Sequence, residues 1–177
     1  MNSPTHAQDS QNLVFLVGMM GTGKSTIGKQ LAEQRKVKFI DSDSEIEKEK
    51  GVSISQIFAK KGEAYFRGLE REFVSQLSTE RPAVVACGGG LCIPDGMMEL
   101  LKSKGVVFCL LASASTLLTR TKTDQSRPLL EVAQPIVVLE KLIQERESRY
   151  LEADHVIHTD DQTAVEVVKQ ISEYLPA

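Results

Sequence analysis

No stretch of the 177 residues stays apolar over the roughly eighteen positions that a spanning helix needs, so a transmembrane helix is excluded. The opening residues 1–12 mix Ser, Asn, Gln, Asp and Pro without the apolar centre of a secretory leader, and are expected to form a loose tail. Basic residues are not in excess. With 21 Lys and Arg against 24 Asp and Glu, the formal net charge is −3, which argues against a broad nucleic-acid surface and leaves room only for a local basic pocket. Cysteine is scarce: Cys87, Cys92 and Cys109 are odd in number, lack metal-ligand spacing and lie in or beside apolar runs. They read as buried reduced thiols of a cytoplasmic protein rather than a disulfide framework. Histidine offers no metal centre either, since His6 sits in the tail and His155 and His158 alternate along a short strand without a third ligand. There is no internal repeat and no low-complexity linker, so residues 13–177 are expected to form a single domain.

What the chain does contain is a glycine-rich turn, Gly18-Met19-Met20-Gly21-Thr22-Gly23-Lys24-Ser25-Thr26, between the apolar run Leu13-Val14-Phe15-Leu16-Val17 and a helical pattern over 27–34. The spacing G-x-x-x-x-G-K-S after a strand and before a helix is that of a nucleotide-phosphate cradle. Glycines let the backbone wrap an anion with its N–H groups inward, and the helix start adds partial positive charge. Lys24 would reach the outer phosphates and Ser25 would ligate magnesium.

Downstream, the apolar pattern alternates between strand and helix. Strands are predicted over 37–40, 83–87, 106–111 and 155–159. Helices are predicted over 53–61, with Ser53 as cap, and over 63–78, where Phe66, Leu69, Phe73 and Leu77 form one stripe. Further helices are expected from Pro94 to Leu101 and over 113–121, 136–150 and 164–174, the last with Val165, Val168 and Ile171 inward. The segment 122–134 is polar at first, carries Arg127-Pro128 and lacks a core-facing period, which makes it the candidate mobile lid. Such alternation implies an α/β three-layer sandwich around a parallel sheet.

In such sheets, sites gather at the carboxyl ends of the strands. Three clusters fall there: the glycine-rich turn, Asp41 and Asp43 after the second strand, and Gly88-Gly89-Gly90 after the third. If the two aspartates stay extended, their spacing of two turns both to one cleft, where one can hold magnesium through water and the other accept a proton. The competing reading is a plain acidic helix cap ahead of the charged stretch 44–50. The triple glycine permits close approach of backbone to ligand. No acidic residue ends the third strand, so a metal would depend on Asp41 or be held loosely.

Taken together, several blocks resemble the shikimate kinase family: the glycine-rich turn, Phe39-Ile40-Asp41-Ser42-Asp43, Gly62-Glu63 with Phe66-Arg67 and Glu70, the triple glycine, Arg127-Pro128-Leu129-Leu130, and Arg146 with Tyr150. The resemblance implies a five-stranded parallel sheet of the P-loop kinase type with a lid. It also implies Mg2+-dependent transfer of the ATP γ-phosphoryl to the 3-hydroxyl of shikimate, on the route to chorismate and the aromatic amino acids. Carried over residue by residue, Gly21, Thr22, Gly23, Lys24, Ser25 and Thr26 hold the ATP phosphates, and Ser25 with Asp41 serves the metal. Asp43 binds the shikimate hydroxyls and orients or deprotonates the attacking one, Arg67 and Arg146 grip its carboxylate, and Gly89 offers a backbone contact. Arg127 closes over the phosphates, and Gln162 meets the nucleotide near adenine. A monomer working on ATP and shikimate, with neither nucleic acid nor membrane as partner, is expected. A gluconate-type kinase on the same fold, or an ATP-binding module without turnover, are the alternatives.

Overall fold

The computed structural model describes residues 12–121 and 134–176. Five parallel strands, β1 (Leu13–Val17), β2 (Lys38–Asp41), β3 (Ala83–Ala86), β4 (Gly105–Leu111) and β5 (His155–His158), lie in the order β2-β3-β1-β4-β5. β1 is central, and its five residues Leu-Val-Phe-Leu-Val are all buried because helices cover both faces of the sheet.

The alternation of side chains along the strands divides the core in two. Leu13, Phe15 and Val17 of β1, with Val85 and Cys109, pack against helices α4 (Glu63–Gln76), α5 (Met97–Lys102), α6 (Ala114–Thr121) and α7 (Pro135–Tyr150) through Val74, Met98, Leu117 and Leu139. On the other face Val14, Leu16, Val84 and Phe108 meet α1 (Lys24–Arg35) and α8 (Ala164–Tyr174) through Ile27, Leu31, Val167 and Ile171. A third, smaller cluster joins α2 (Ser42–Lys50), α3 (Ile54–Lys61) and α4 by Ile46, Ile57, Phe66 and Leu69. That cluster carries Asp43 and Arg67 on its two flanking helices.

Most expected elements are present, with three differences. α5 begins at Met97 and not at Pro94, because Gly96 takes φ +74°, a left-handed conformation that cannot continue a helix upstream. Val165 faces solvent at 69% exposure. Val168 and Ile171 of α8 are inward as expected, with Val167 in the place of Val165, and the helix starts at the capping box of Thr163 and Glu166. Finally, Asp41 and Asp43 do not alternate along one strand: β2 ends at Asp41, which caps α2 by accepting from the Ser44 amide at 3.2 Å, and Asp43 lies in the first helical turn. All three cysteines are free and buried, as expected. The tail expected over 1–12 lies outside the described residues except for Asn12, as does the lid expected over 122–134 except for Gln134.

Candidate active site

The phosphate loop leaves β1 at Val17 and enters α1 at Lys24, so Lys24, Ser25 and Thr26 form the first helical turn, where backbone amides have no intrahelical acceptor. Gly23, at φ +95°, makes the sharp entry that an L side chain would resist. The hydroxyl of the buried Thr22 donates to Met19 O at 2.8 Å and ties the loop to itself. Lys24 Nζ donates to Gly18 O and Met19 O at 2.7 and 2.8 Å, so the ammonium lies across the loop.

The carboxyl end of β2 brings the two aspartates beside this loop. Ser25 Oγ donates to Asp41 Oδ2 at 3.0 Å. A hydroxyl and a carboxylate meeting at a helix start are hard oxygen donors of the kind Mg2+ takes, so the residues present fit that ion. Among the described residues no group of three or more His, Cys, Asp and Glu could form a cage for a metal, which leaves phosphate and water oxygens to complete a shell. Asp41 is therefore both helix cap and loop neighbour. The carboxyl of Asp43 is pushed above the usual carboxylate range, first by burial and then by the Asp41 charge, while Lys24 and the Ser42 hydroxyl hold it back.

The triple glycine after β3 lies against Asp43, Arg67, Tyr150 and the phosphate loop. The Gly88 amide donates to Ser42 Oγ at 2.8 Å, and Asp43 packs so closely on Gly88 that a Cβ there would lie 3.2 Å from both its Cγ and Oδ2 and nearer still to Oδ1. At Gly90 a Cβ would meet Arg67 Nη2 at 2.5 Å and Nη1 at 2.8 Å. Gly89 O accepts from Tyr150 Oη at 2.6 Å, and a Cβ on Gly89 would reach Met20 N of the phosphate loop at 3.5 Å. Arg146, one turn before Tyr150 on α7, donates to Met19 Sδ at 3.9 Å. The structure thus brings Lys24, Ser25, Asp41, Asp43, Arg67, Gly89 and Arg146 around one cleft. Gln162 stands apart, after the edge strand β5, donating to His158 O at 2.7 Å and accepting from Gln170 at 2.9 Å. Arg127 lies outside the described residues.

Glu70 was given no role from sequence. Its side chain is 1% exposed, Oε2 accepts from Arg67 Nη1 at 2.6 Å, and Oε1 has no hydrogen-bond partner among the described residues. Burial pushes its carboxyl up to about 7, against the Arg67 charge that favours the carboxylate. Arg67 is also held by Glu63 Oε1 at 2.8 Å, so two carboxylates fix the guanidinium while leaving it charged. The Glu63, Arg67, Glu70 spacing of four and three on one helix was the available signal.

Comparison with known proteins decides the family. A family model described as shikimate kinase matches residues 20–176. The chain belongs to the shikimate kinase family. A shikimate kinase of Sulfurihydrogenibium sp. is 44% identical over 158 residues, 89% of this chain and 94% of that protein. The structure of an Acinetobacter baumannii shikimate kinase in complex with shikimate superposes with a TM-score of 0.86 at 36% identity, covering 94% of this chain and 93% of that one. A gluconokinase from Sinorhizobium meliloti shares the fold alone, at 18% identity and a TM-score of 0.55 over 93% of this chain and 90% of that one. Membership of the shikimate kinase family makes the protein an ATP-dependent kinase.

Proposed function

We propose that the protein transfers the γ-phosphoryl group of ATP to the 3-hydroxyl of shikimate, giving shikimate 3-phosphate and ADP. One observation carries the reading: the phosphate loop, the Asp43 carboxyl and the Arg67 guanidinium all border one glycine turn, and the Arg146 guanidinium lies on the same phosphate loop at Met19. Shikimate is a carboxylate with three hydroxyls. Arg67 and Arg146 offer planar forks for the carboxylate, and Asp43 offers an acceptor for the hydroxyls.

In the transfer, Asp43 orients the 3-hydroxyl and takes its proton as the oxygen bonds to the γ-phosphorus and the bond to the bridging oxygen of ADP breaks. Burial, which raises the Asp43 pKa, makes its carboxylate a stronger base towards the acceptor hydroxyl than a solvated aspartate would be. Loop amides and Lys24 neutralise charge on the outer phosphates, and Arg127, outside the described residues, would add a further cation by its resemblance to the family's lid arginine. Ser25 and Asp41 would hold Mg2+, which supplies charge neutralisation to the β- and γ-phosphate oxygens when bound with the nucleotide. Gln162 would contact the nucleotide near its base. Buried free thiols suit the reducing cytosol.

A coupled assay of ADP release with shikimate, with gluconate and with no acceptor tests the reading. Release that depends on shikimate alone is expected. Turnover with gluconate would favour the gluconate-type alternative, and no acceptor-dependent release at all would leave an ATP-binding module.

A further inference from the structure

Tyr150, the last residue of α7, is 1% exposed, and its ring lies in the core with Cys92 and Cys109 near it. For filling that space a phenylalanine would serve as well. The hydroxyl, however, donates to Gly89 O at 2.6 Å, across 61 residues of sequence, and so joins α7 directly to the glycine turn. The same helix carries Arg146 one turn earlier, and the Arg146 guanidinium lies beside the phenol, favouring its anion against the larger, opposite effect of burial. Arg146 in turn contacts Met19 of the phosphate loop. One phenol therefore stands between two parts of the acceptor pocket that come from different elements.

A peptide plane is rigid, so pinning the Gly89 carbonyl fixes the orientation of the Gly89–Gly90 peptide as well. Glycines offer no side chains to hold such a turn, and three in succession would otherwise sample many conformations. We propose that Tyr150 is a positioning residue for the acceptor substrate, its hydroxyl holding the glycine turn at a fixed spacing from Arg146 so that backbone and guanidinium meet the same shikimate molecule. The proposal rests on the reading that Gly89 and Arg146 bind shikimate.

Tyr150→Phe keeps the ring and removes only the oxygen. The carbonyl of Gly89 then loses a buried donor, a loss that falls on the acceptor pocket. The KM for shikimate should rise about tenfold, kcat should change less than about threefold, and the KM for ATP should stay within about twofold. Shikimate affinity by calorimetry should weaken in step with KM. A purely structural hydroxyl would lower the melting temperature while leaving both KM values in their original ratio, and that outcome would overturn the proposal. So would a Phe variant that fails to fold, since the oxygen would then be holding up the core. Arg146→Ala, assayed in parallel, separates the two levels of inference. An unchanged shikimate KM in Arg146→Ala would refute the pocket assignment itself, whereas a raised KM there with an unchanged one in Tyr150→Phe would refute only the positioning role.

Discussion

Adding a single methyl group at Gly88 should disable the chemistry while sparing the fold. A Cβ there would lie 3.2 Å from Asp43 Cγ and Oδ2 and closer to Oδ1, under the 3.0 Å below which something must move. Carbon and oxygen settle at roughly 3.5 Å, so the carboxylate would have to retreat by about 1 Å. Its restraints are modest: the Ser42 hydroxyl donates to Asp43 Oδ1 at only 3.4 Å. The side chain should therefore yield before the backbone does, at a stability cost of about 1–3 kcal/mol for local overpacking. A displacement of that size at a group that must face the acceptor hydroxyl costs on the order of a hundredfold in rate. In a coupled ADP assay at saturating ATP, Gly88→Ala should thus lose about a hundredfold in kcat, with the affinity for a non-hydrolysable ATP analogue unchanged and a cooperative melt retained. A folded Gly88→Ala enzyme with kcat within about threefold of wild type would refute the reasoning, as would a defect confined to the nucleotide.

Asp43→Asn should lower kcat by about a hundredfold to ten-thousandfold with ATP affinity unmoved, because an amide cannot take the hydroxyl proton; near-normal turnover would reduce Asp43 to a hydrogen-bond acceptor. Arg67→Ala should weaken shikimate binding by about 2–5 kcal/mol in calorimetry, but it also strands the buried Glu70, so the double variant Arg67→Ala with Glu70→Gln should recover stability without recovering affinity. Glu70 holds its proton more tightly folded than unfolded, up to about 7, so the folded state binds more protons between the two pKa values and stability falls as pH rises through that window. Relative to Glu70→Gln, the wild type should lose about 2 kcal/mol between pH 5.5 and pH 8 in urea unfolding, and a constant difference would contradict the raised pKa.

Sequence reading reached the phosphate loop and the strands through local spacing, whereas Arg67 and Arg146 stood out only through the resemblance to the shikimate kinase family, since an arginine on a helix carries no spacing signal of its own. The run from Leu13 to Ser25 could only be strand, turn and helix, and it is. In α8 the reading holds for Val168 and Ile171 and misses at Val165, which is exposed while Val167 is buried. Val165, Val167 and Val168 offer two apolar faces, and the one that is buried, with Val167, Val168, Ile171 and Leu175, is the one that packs on the sheet beside Leu31 and Phe108. Asp41 and Asp43 read either as a metal carboxylate and a proton acceptor sharing one cleft or as an acidic helix cap, and in the structure Asp41 Oδ1 caps α2 while its Oδ2 turns to Ser25 of the phosphate loop. The roles of Glu70 and Tyr150 were not legible, since a buried carboxylate and a tyrosine donating across 61 residues are known only once α4 and α7 are packed on the sheet.

The three glycines have different work to do, which explains why one flexible residue would not suffice. Gly88 makes room for Asp43, Gly90 makes room for the Arg67 guanidinium, and Gly89 gives its carbonyl to Tyr150 while lying against the phosphate loop. The turn is carried by β3, which pairs with the phosphate-loop strand β1 from Leu13 and Ala83 to Leu16 and Ala86, and the ladder is extended by the Cys87 amide donating to Leu16 O at 3.0 Å. The glycine turn and the phosphate loop are thereby joined through adjacent main chains rather than through long side chains. Phosphoryl transfer depends on holding the attacking oxygen in line with the phosphorus, and side-chain rotation cannot blur a distance set by a hydrogen-bonded ladder. Side chains then add what backbone lacks: the Asp43 carboxyl beside Gly88 and the Arg67 guanidinium beside Gly90, each where a missing Cβ leaves space, and the Lys24 ammonium and Arg146 guanidinium against the phosphate loop itself.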